Sequence, residues 1–380
     1  MRLLYVINRL GRGGAERSLA AMTPHYVRAG IELRIAYLSD ERSAPEQFEH
    51  AGASVYSLAG SGGALGQLRR MRRLVGNWRP DLMHTTLFES DLLGRGAGVT
   101  TGVPVVTSLV NVAYGPEQFD NPDLRAWKLR SAQLVDAVSA RAVRRFHALT
   151  AHVGAIMARR LRLRDDRIDV IPRGRDPAQL GSRTPERRRR AREQLGIGTD
   201  ELLVVAAARH EYQKGLDVLL EAFEPVAAHR PGARLVIVGR EGSQTARLTA
   251  AIGPGAREVV RMVGARDDVP EVLCAADLFA FPSRWEGFGS VLLEAMALEA
   301  PIVASDLDAV REVVTAEEAV LVPPDDAGAL AASIERALDD PAGSGARATA
   351  ARRRFLDHFT VERVVEGMLA FYERALGRPV

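Results

Sequence analysis

The chain has 380 residues, 47% hydrophobic and 26% charged, a composition typical of a globular protein of two or three domains, which excludes collagen-like, low-complexity and wholly disordered chains. Its single cysteine, Cys274, excludes an internal disulfide and a thiolate zinc cluster. The net charge is +3, but residues 1–175 carry 26 basic and 16 acidic side chains, so either this half meets an anionic partner or the genome favours arginine.

Short segments rich in Val, Ile and Leu alternate with amphipathic stretches, a rhythm typical of βα units around a parallel sheet. The strands predicted in the first half are Leu3–Ile7, Leu33–Leu38, Ser54–Ser57, Leu82–Thr85, Val105–Ser108, Ala148–Thr150 and Ile168–Ile171. Those predicted in the second half are Leu202–Ala208, Arg234–Val238, Val259–Val263, Leu278–Phe281, Ile302–Ala304 and Ala319–Val322. We therefore predict an α/β fold with two Rossmann-like, doubly wound parallel sheets.

A stretch rich in proline and glycine, Arg173 to Gly198, separates the two series of strands. We place the domain boundary there, with an N-terminal domain of residues 1–175 and a C-terminal domain of residues 176–359. A last helix, about 360–380, is predicted to return to the N-terminal domain. The run Arg187–Arg190 is expected on a solvated short helix that begins near Pro185, rather than in a nucleic-acid site.

One predicted helix, Leu65–Trp78, has Leu68, Met71, Val75 and Trp78 on one face beside four arginines. Such a helix could rest on an anionic membrane; a helix that covers the sheet with a wet charged face is the alternative. No apolar stretch reaches the ~20 residues that cross a bilayer, and the N-terminal apolar run ends at Asn8, too early for a signal peptide. We expect a cytoplasmic protein, either free or peripheral to the inner face of the membrane.

Parallel sheets bind ligands in the loops that follow their strands; one such loop carries Glu286, and Glu294 lies about one turn into the helix that this loop opens. Gly287 and Gly289 between them allow a ligand to approach the backbone closely. The N–H groups that begin the next helix near Ser290 form an anion site, and the Glu294 carboxylate can accept two hydrogen bonds from a vicinal diol. The alternative is a surface loop acid and a solvated helix acid.

A second loop, after the predicted strand Leu202–Ala208, contains Arg209 and Lys214. Lys128 and Lys214 are the only lysines among 51 basic residues. A compact ammonium at this position would neutralise the charge that develops on a diphosphate leaving group. The alternative is a surface lysine at the start of a helix, beside Asp217.

With these loops, nearly the whole chain resembles the retaining glycosyltransferases of the GT-B fold, in which two Rossmann-like domains face each other, and specifically the family-4 type (glycosyl transferases group 1). Glu286 and Glu294 match the family's Glu-x7-Glu motif. The resemblance implies that Arg209, Lys214 and Glu286 are catalytic. The donor-binding residues that it implies are Gly13, Gly14, Arg209, Lys214, Val263, Glu286, Gly287, Phe288, Gly289, Ser290 and Glu294.

On the acceptor side, Val110 stands where many members of that family carry a histidine. His84 or Asn111 would then take its place, although a lone histidine is as often structural. No metal site is predicted, because no group of His, Asp and Glu has a convincing ligand spacing.

The expected reaction transfers a hexose from a nucleoside-diphosphate sugar to a hydroxyl acceptor, which is a glycan, a lipid-linked molecule or a small molecule. The anomeric configuration is retained, and neither a metal nor a resident cofactor takes part. A nucleotide-sugar epimerase of the same architecture and a nucleotide-sugar-binding protein without turnover are the alternatives. No nucleic-acid partner is expected.

Overall fold

The computed structural model describes residues 1–11, 13–41, 43–119, 125–252, 256 and 258–378. They divide into two compact units. Unit 1 comprises Met1–Asp176 and Thr360–Val380, and unit 2 comprises Pro177–Phe359. None of the helices in the described ranges combines the length and the apolar character needed to span a membrane.

Unit 1 contains a seven-stranded parallel sheet. Its strands are β1 (Arg2–Ile7), β2 (Glu32–Tyr37), β3 (Ser54–Ser57), β4 (Leu82–Thr86), β5 (Val105–Leu109), β6 (Arg145–Ala148) and β7 (Ile168–Val170). Its first helices are α1 (Gly14–Arg28), α2 (Glu46–His50), α3 (Gly63–Trp78), α4 (Phe88–Thr101), α5 (Pro116–Phe119), α6 (Ala126–Ser139) and α7 (Ala151–Leu161). The strand order is β3-β2-β1-β4-β5-β6-β7, so the direction of winding reverses between β1 and β4.

Unit 2 contains a six-stranded parallel sheet. Its strands are β8 (Leu202–Ala207), β9 (Ala233–Val238), β10 (Val260–Met262), β11 (Leu278–Phe281), β12 (Ile302–Ser305) and β13 (Val320–Val322). Its helices are α8 (Pro177–Leu180), α9 (Pro185–Leu195), α10 (Leu216–His229), α11 (Thr245–Ala251), α12 (Val269–Ala275), α13 (Ser290–Ala297), α14 (Asp308–Arg311), α15 (Ala327–Asp339) and α16 (Pro341–His358). The order β10-β9-β8-β11-β12-β13 places the reversal between β8 and β11.

The last helix, α17 (Val361–Leu376), belongs to unit 1 and packs against α1. The chain re-enters unit 1 at a parallel β-bridge between Thr360 and Arg175. There the backbone amide of Val361 donates to the backbone carbonyl of Arg175 at 3.0 Å. One face of α17 is buried in the core beside β1, β2 and α1. That face consists of Val361, Val364, Val365, Met368, Phe371, Tyr372 and Ala375. The predicted α/β class, with two doubly wound parallel sheets and a returning C-terminal helix, is confirmed.

The apolar face of α3 is not available to a membrane. Met71, Val75 and Trp78 are buried in the core on one side of the unit 1 sheet, and Leu68 packs against them. Arg70 donates to the carbonyls of Leu58 and Ser61. The predicted membrane contact through the apolar face of Leu65–Trp78 is therefore wrong, and α3 is the sheet-covering helix of the alternative.

The arginine run lies on α9, which begins at Pro185 as predicted, but only part of it is solvated. Arg188 donates to the carbonyls of Ala275 and Ala276, which end α12, at 2.9 and 2.8 Å, and pairs with Asp277 at 2.6 Å. Arg187 pairs with Glu271 of α12 at 2.8 Å. Arg188 neutralises the negative end of the α12 dipole, whereas Glu271, the partner of Arg187, lies in the first turn of that helix. Arg189 and Arg190 are exposed.

Candidate functional site

The candidate site lies at the carboxyl ends of β8 and β11, the point of reversal in the unit 2 sheet. Ligands bind at such points because the loops from the two strands diverge to opposite faces of the sheet. We call residues 208–215 the β8 loop and residues 282–289 the β11 loop. Each leads into a helix, α10 and α13 respectively.

The two loops meet at an ion pair. The Lys214 ammonium lies 2.5 Å from Oε1 of Glu286, and the Ser283 hydroxyl donates to the same oxygen at 2.8 Å. Both charged side chains are largely buried, with 16% of Lys214 and 7% of Glu286 exposed. The structure thus brings together two residues that were predicted from separate motifs, and neither is the freely solvated surface group of the alternative reading.

A second set of contacts fixes the position of the loops. The side-chain nitrogen of Gln213, Nε2, donates to the backbone carbonyl of Trp285 at 2.7 Å. The backbone carbonyl of Gln213 accepts from the backbone amide of Arg284 at 2.8 Å. The Arg284 guanidinium stacks 4.1 Å over the Tyr212 ring and bonds both carboxylate oxygens of Asp217 at 2.9 and 3.0 Å. Because these contacts are bidentate or stacked, they hold the backbone on either side of Lys214 and Glu286.

The N-terminus of α13 follows the β11 loop directly. Gly289 adopts φ +78° and has no side chain with which to cap the helix, and Ser290 is the first helical residue. The Phe288 side chain packs against Phe359 with ring centroids 6.0 Å apart, so Phe288 and Gly287, both buried, can offer only backbone to a ligand. Glu294, one turn further, is 4% exposed, which excludes the solvated helix acid of the alternative reading.

The other predicted donor residues lie on neighbouring loops of unit 2. Arg209 is exposed, and no hydrogen bond or ion pair is found for its side chain among the described residues. Its neighbour His210 is buried, and its Nδ1 lies 3.1 Å from the Thr245 hydroxyl; burial lowers the pKa of this imidazole below its usual range. Val263 directly follows β10 and is half-buried.

In unit 1, Gly13 caps α1 and Gly14 begins it. A Cβ on Gly13 would lie 2.3 Å from Oε2 of Glu16, the far end of a flexible side chain that can shift at little cost. Beside this loop, Asn8 at the end of β1 accepts from the Ser90 amide at 3.0 Å and from the Ser90 hydroxyl at 2.5 Å, which ties β1 to the start of α4. The donor-binding role of Gly13 and Gly14 stays a prediction.

His84 lies inside unit 1, 1% exposed, in a chain of buried hydrogen bonds. Its Nδ1 is 2.7 Å from the Tyr372 hydroxyl of α17, and its Nε2 is 2.7 Å from the Ser108 hydroxyl. Ser108 lies 2.8 Å from Nδ1 of His147, whose Nε2 is 2.8 Å from the Ile171 carbonyl. Both ring nitrogens of His84 are thus engaged in the core, so the geometry favours the structural reading over the acceptor-side one.

Asn111 is half-buried, and its side-chain oxygen accepts from the Val112 amide at 2.9 Å. Val110, the position where a histidine was expected, lines a cavity of about 30 Å³ with Thr86, Ser108 and Arg173, among others. A cavity of that size has room for water but not for a sugar ring. The acceptor-side role of Asn111 stays a prediction.

The structure adds residues that the sequence patterns did not single out. Ser283 hydrogen-bonds to Glu286, and Gln213 and Arg284 hold the two loops together. All three are neighbours of the predicted motifs, but Ser283 acts within its own loop, whereas the roles of Gln213 and Arg284 depend on pairings between loops some 70 positions apart in sequence. A single sequence contains no signal for such pairings. Within the described ranges, no three His, Cys, Asp or Glu side chains group as metal ligands.

Comparison with solved structures shows where the same fold occurs. The Anabaena protein HepE, solved in complex with UDP-glucose, matches with a TM-score of 0.87 and 21% identity over 98% of this chain and 100% of that one. Sucrose-phosphate synthase from Thermosynechococcus elongatus matches with a TM-score of 0.86 and 20% identity over 99% and 100% of the two chains. At these identities the likeness establishes the fold, which is the GT-B fold predicted from the sequence.

Comparison of sequences establishes the family. The family model described as Glycosyltransferase Family 4 matches residues 12–179, and the model described as Glycosyl transferases group 1 matches residues 187–354. The D-inositol 3-phosphate glycosyltransferase of Segniliparus rotundus is 31% identical over 80% of this chain and 69% of its own length. A lipopolysaccharide core mannosyltransferase of Rhizobium meliloti is 29% identical over 48% of this chain, and the match spans 54%, about half, of that relative. The chain therefore belongs to the group 1 glycosyltransferases.

Proposed function

We propose that the chain transfers a hexose from a nucleoside-diphosphate sugar to a hydroxyl acceptor with retention of the anomeric configuration. The carrying observation is the Lys214–Glu286 pair, held at 2.5 Å where the β8 and β11 loops meet, directly before the N-terminus of α13. The site thus offers a cation, a helix N-terminus for phosphate and a buried acid for sugar hydroxyls. That HepE was solved with UDP-glucose supports the class of donor.

Stabilisation of the leaving group would supply most of the rate enhancement. As the bond from the anomeric carbon to the diphosphate breaks, negative charge develops on the diphosphate oxygen, and Lys214, Arg209 and the α13 N-terminus would neutralise it. The acceptor oxygen forms the new bond to the anomeric carbon and passes its proton to the departing diphosphate oxygen. These fixed positive charges do what a divalent cation does in other transferases, so we propose that the reaction is metal-independent.

Sugar hydroxyls would compete for Oε1 of Glu286, the oxygen that now accepts from both Lys214 and Ser283. Breaking the ion pair on donor binding would free Lys214 for the diphosphate, so binding and activation of the leaving group would be coupled. Glu294 would accept hydrogen bonds from the ribose. We place the acceptor on unit 1 and the protein in the cytoplasm; the acceptor is a glycan, a lipid-linked molecule or a small molecule.

The test is release of nucleoside diphosphate from a panel of nucleotide sugars, with and without hydroxyl acceptors, in the presence of EDTA. We expect Lys214→Ala and Glu286→Ala to lower the rate by roughly 100-fold or more, the cost of removing one charge-stabilising group. Lys128→Ala, which removes the only other lysine and lies in unit 1, is the matched control and should keep its activity with soluble substrates.

Full activity in both site variants would contradict the proposal, and abolition of activity by EDTA would contradict its metal-independent part. Conversion of the sugar without any acceptor would identify an epimerase. Donor binding by calorimetry with neither transfer nor hydrolysis would identify a binding protein. Circular dichroism confirms that each variant is folded.

A further inference from the structure

Helix α6 of unit 1 carries its apolar side chains on the outside. Trp127 is 62% exposed, Leu134 67%, Val135 48% and Val138 55%. Trp127, Leu134 and Val138 follow one another at intervals of seven and four residues, so they share one stripe of the helix, and Val135 lies beside it. We call these four residues the outer face of α6. Exposed apolar patches of this kind mark interaction surfaces.

The opposite side of the helix carries a buried charge. Asp136 accepts from the Arg95 guanidinium of α4 at 2.6 Å and from the Tyr114 hydroxyl at 2.8 Å. Arg95 is 1% exposed, so rotation of α6 to bury its apolar residues would take the closest carboxylate away from this buried cation and leave it with Asp91 at 3.8 Å, which is costly. Gln133 adds a bond to the Arg160 carbonyl at 3.1 Å. The outward orientation of the apolar stripe is thus held by the fold.

The charges beside the outer face are cationic. Over residues 125–142, which span α6, its N-cap and the following 3-10 helix, the basic residues are Arg125, Lys128, Arg130 and Arg141, all exposed. The only acid in that range is Asp136, which points inward. The Lys128 ammonium lies 5.8 Å from the centre of the Trp127 ring. Two further acids, Asp120 and Asp123, lie outside the described residues.

We propose that the outer face of α6 docks this protein on an anionic lipid bilayer. An exposed tryptophan among aliphatic side chains, flanked by cations, matches the boundary between acyl chains and acidic headgroups. Each cation near such a surface adds electrostatic attraction. A partner protein would need acids placed opposite four separate cations, whereas a bilayer supplies negative charge wherever they fall. The proposal replaces the membrane contact expected of α3.

The test uses the whole chain and vesicles of phosphatidylcholine and phosphatidylglycerol in equal parts, with pure phosphatidylcholine as the comparison. Trp127 is itself the reporter, because the other two tryptophans, Trp78 and Trp285, are 6% and 9% exposed. We expect a blue shift of the emission and quenching by brominated lipid with anionic vesicles, and a weaker effect with neutral vesicles or at high salt. Trp127→Phe should bind but lose both signals.

Binding is measured independently by flotation of vesicles. The double variant Leu134→Ser/Val138→Ser should lower the affinity for anionic vesicles by roughly tenfold or more, because it removes most of the aliphatic area of the outer face. Leu65→Ser/Val170→Ser is the matched control: it removes the same residue types at 70% and 48% exposure, from α3 and β7, and should bind as the unchanged chain does.

Several results would overturn the proposal. They are absence of binding to anionic vesicles, equal binding to neutral ones, an undiminished affinity in Leu134→Ser/Val138→Ser, or a fluorescence shift that persists in Trp127→Phe. Self-association in the absence of lipid that the same double variant abolishes would show that a second copy of the chain covers this face instead.

Discussion

The hydrogen bonds of His84 and His147 run in a direction that one carbonyl sets. The Ile171 carbonyl can only accept, so Nε2 of His147 donates and its Nδ1 accepts from Ser108. Ser108 then accepts from Nε2 of His84, whose Nδ1 accepts from Tyr372. Each donor in this series meets one acceptor, and both imidazole rings are neutral. A second N–H on either ring would force the Ser108 or the Tyr372 hydroxyl to turn its own proton away.

Burial agrees with that assignment. It lowers the pKa of His147 to about 4 and, together with the nearby His147, holds the pKa of His84 well below its usual range. In the unfolded chain both imidazoles take up protons below about pH 6.5. The unfolded state therefore binds more protons than the folded state between about pH 4 and 6.5, so these two histidines make unit 1 less stable as the pH falls through that window.

Asp91 of α4 has the opposite effect. Burial raises the pKa of this carboxyl to about 7, although Arg95 lies 3.8 Å away. Between about pH 4 and 7 the folded state holds a proton that the unfolded state releases, so this group costs stability as the pH rises. We expect Asp91→Asn, which stays neutral, to gain about 2 kcal/mol more in free energy of unfolding at pH 8 than at pH 5.

The measurement is chemical denaturation of both proteins at the two pH values. Asp81→Asn, which changes an acid at the start of β4 where the carboxylate accepts from the Arg2 amide, is the control for the loss of one negative charge. If Asp91→Asn raises the free energy of unfolding equally at pH 5 and pH 8, or more at pH 5, then Asp91 is ionised at both pH values and burial does not raise its pKa.

At the scale of elements, the approach of the β8 and β11 loops depends on Gly215, the N-cap of α10. It adopts φ +58°, and a Cβ there would lie 2.0 Å from the Pro282 carbonyl oxygen. We expect Gly215→Ala to destabilise unit 2 by about 1–2 kcal/mol beyond the strain of the left-handed backbone alone, since the loops must separate. Because Lys214 precedes it, nucleotide-sugar affinity should fall as well.

Gly196→Ala separates the stability lost through the left-handed backbone from the stability lost through the contact with Pro282. Gly196 ends α9 with φ +62°, nearly the same backbone conformation, but its nearest neighbour, Arg261, is 3.8 Å from the position of a Cβ. Thermal unfolding and calorimetric titration with nucleotide sugars compare the two variants. Equal loss of stability in both, with donor affinity unchanged in Gly215→Ala, would mean that the close contact between the loops does not position Lys214.

The strands were predictable from their apolar runs, with one exception. Every observed strand has a predicted counterpart, but β6 begins at Arg145, three residues before the segment predicted from Ala148. Arg145 and His147 broke the apolar pattern because their partners lie on other strands: Arg145 pairs with Asp169 of β7 at 2.8 Å, and His147 bonds Ser108 of β5. Polar strand residues of this kind become intelligible only once the order of the strands is known.

For the helices too, the sequence pattern alone does not show what each face contacts. The pattern of α3 correctly identified its apolar face but left open whether a membrane or the sheet covers it, and the structure shows the sheet. In α6 the apolar side chains point outward, and only the pairing of Asp136 with Arg95 explains why. The loops of the candidate site were predictable by residue type, because glycines and isolated charges after a strand have few other uses. Which of those charges touch, as Lys214 and Glu286 do, depends on the order β8-β11.

At the scale of the whole molecule, unit 1 is built from the two ends of the chain. Seven buried side chains of α17 complete the core that β1, β2 and α1 begin, and the Tyr372 hydroxyl bonds His84. Burying a single large apolar side chain contributes about 1.5–3 kcal/mol, and the net stability of a domain is only about 5–15 kcal/mol. The helix therefore contributes as much as the unit can lose without unfolding.

Residues 1–176 alone are accordingly expected to lack a cooperative thermal transition. Thr360 pairs with Arg175, so residues 360–378 joined to Asp176 through a few glycines should dock without strain and restore that transition. In the joined chain, Val364→Ser/Phe371→Ser should abolish it again, because both side chains are buried, at 3% and 0% exposure. Calorimetry of the three proteins decides the point. If residues 1–176 melt cooperatively, at the same temperature as the joined chain, then α17 covers a core that is already complete, and its seven apolar contacts stabilise α17 rather than the sheet.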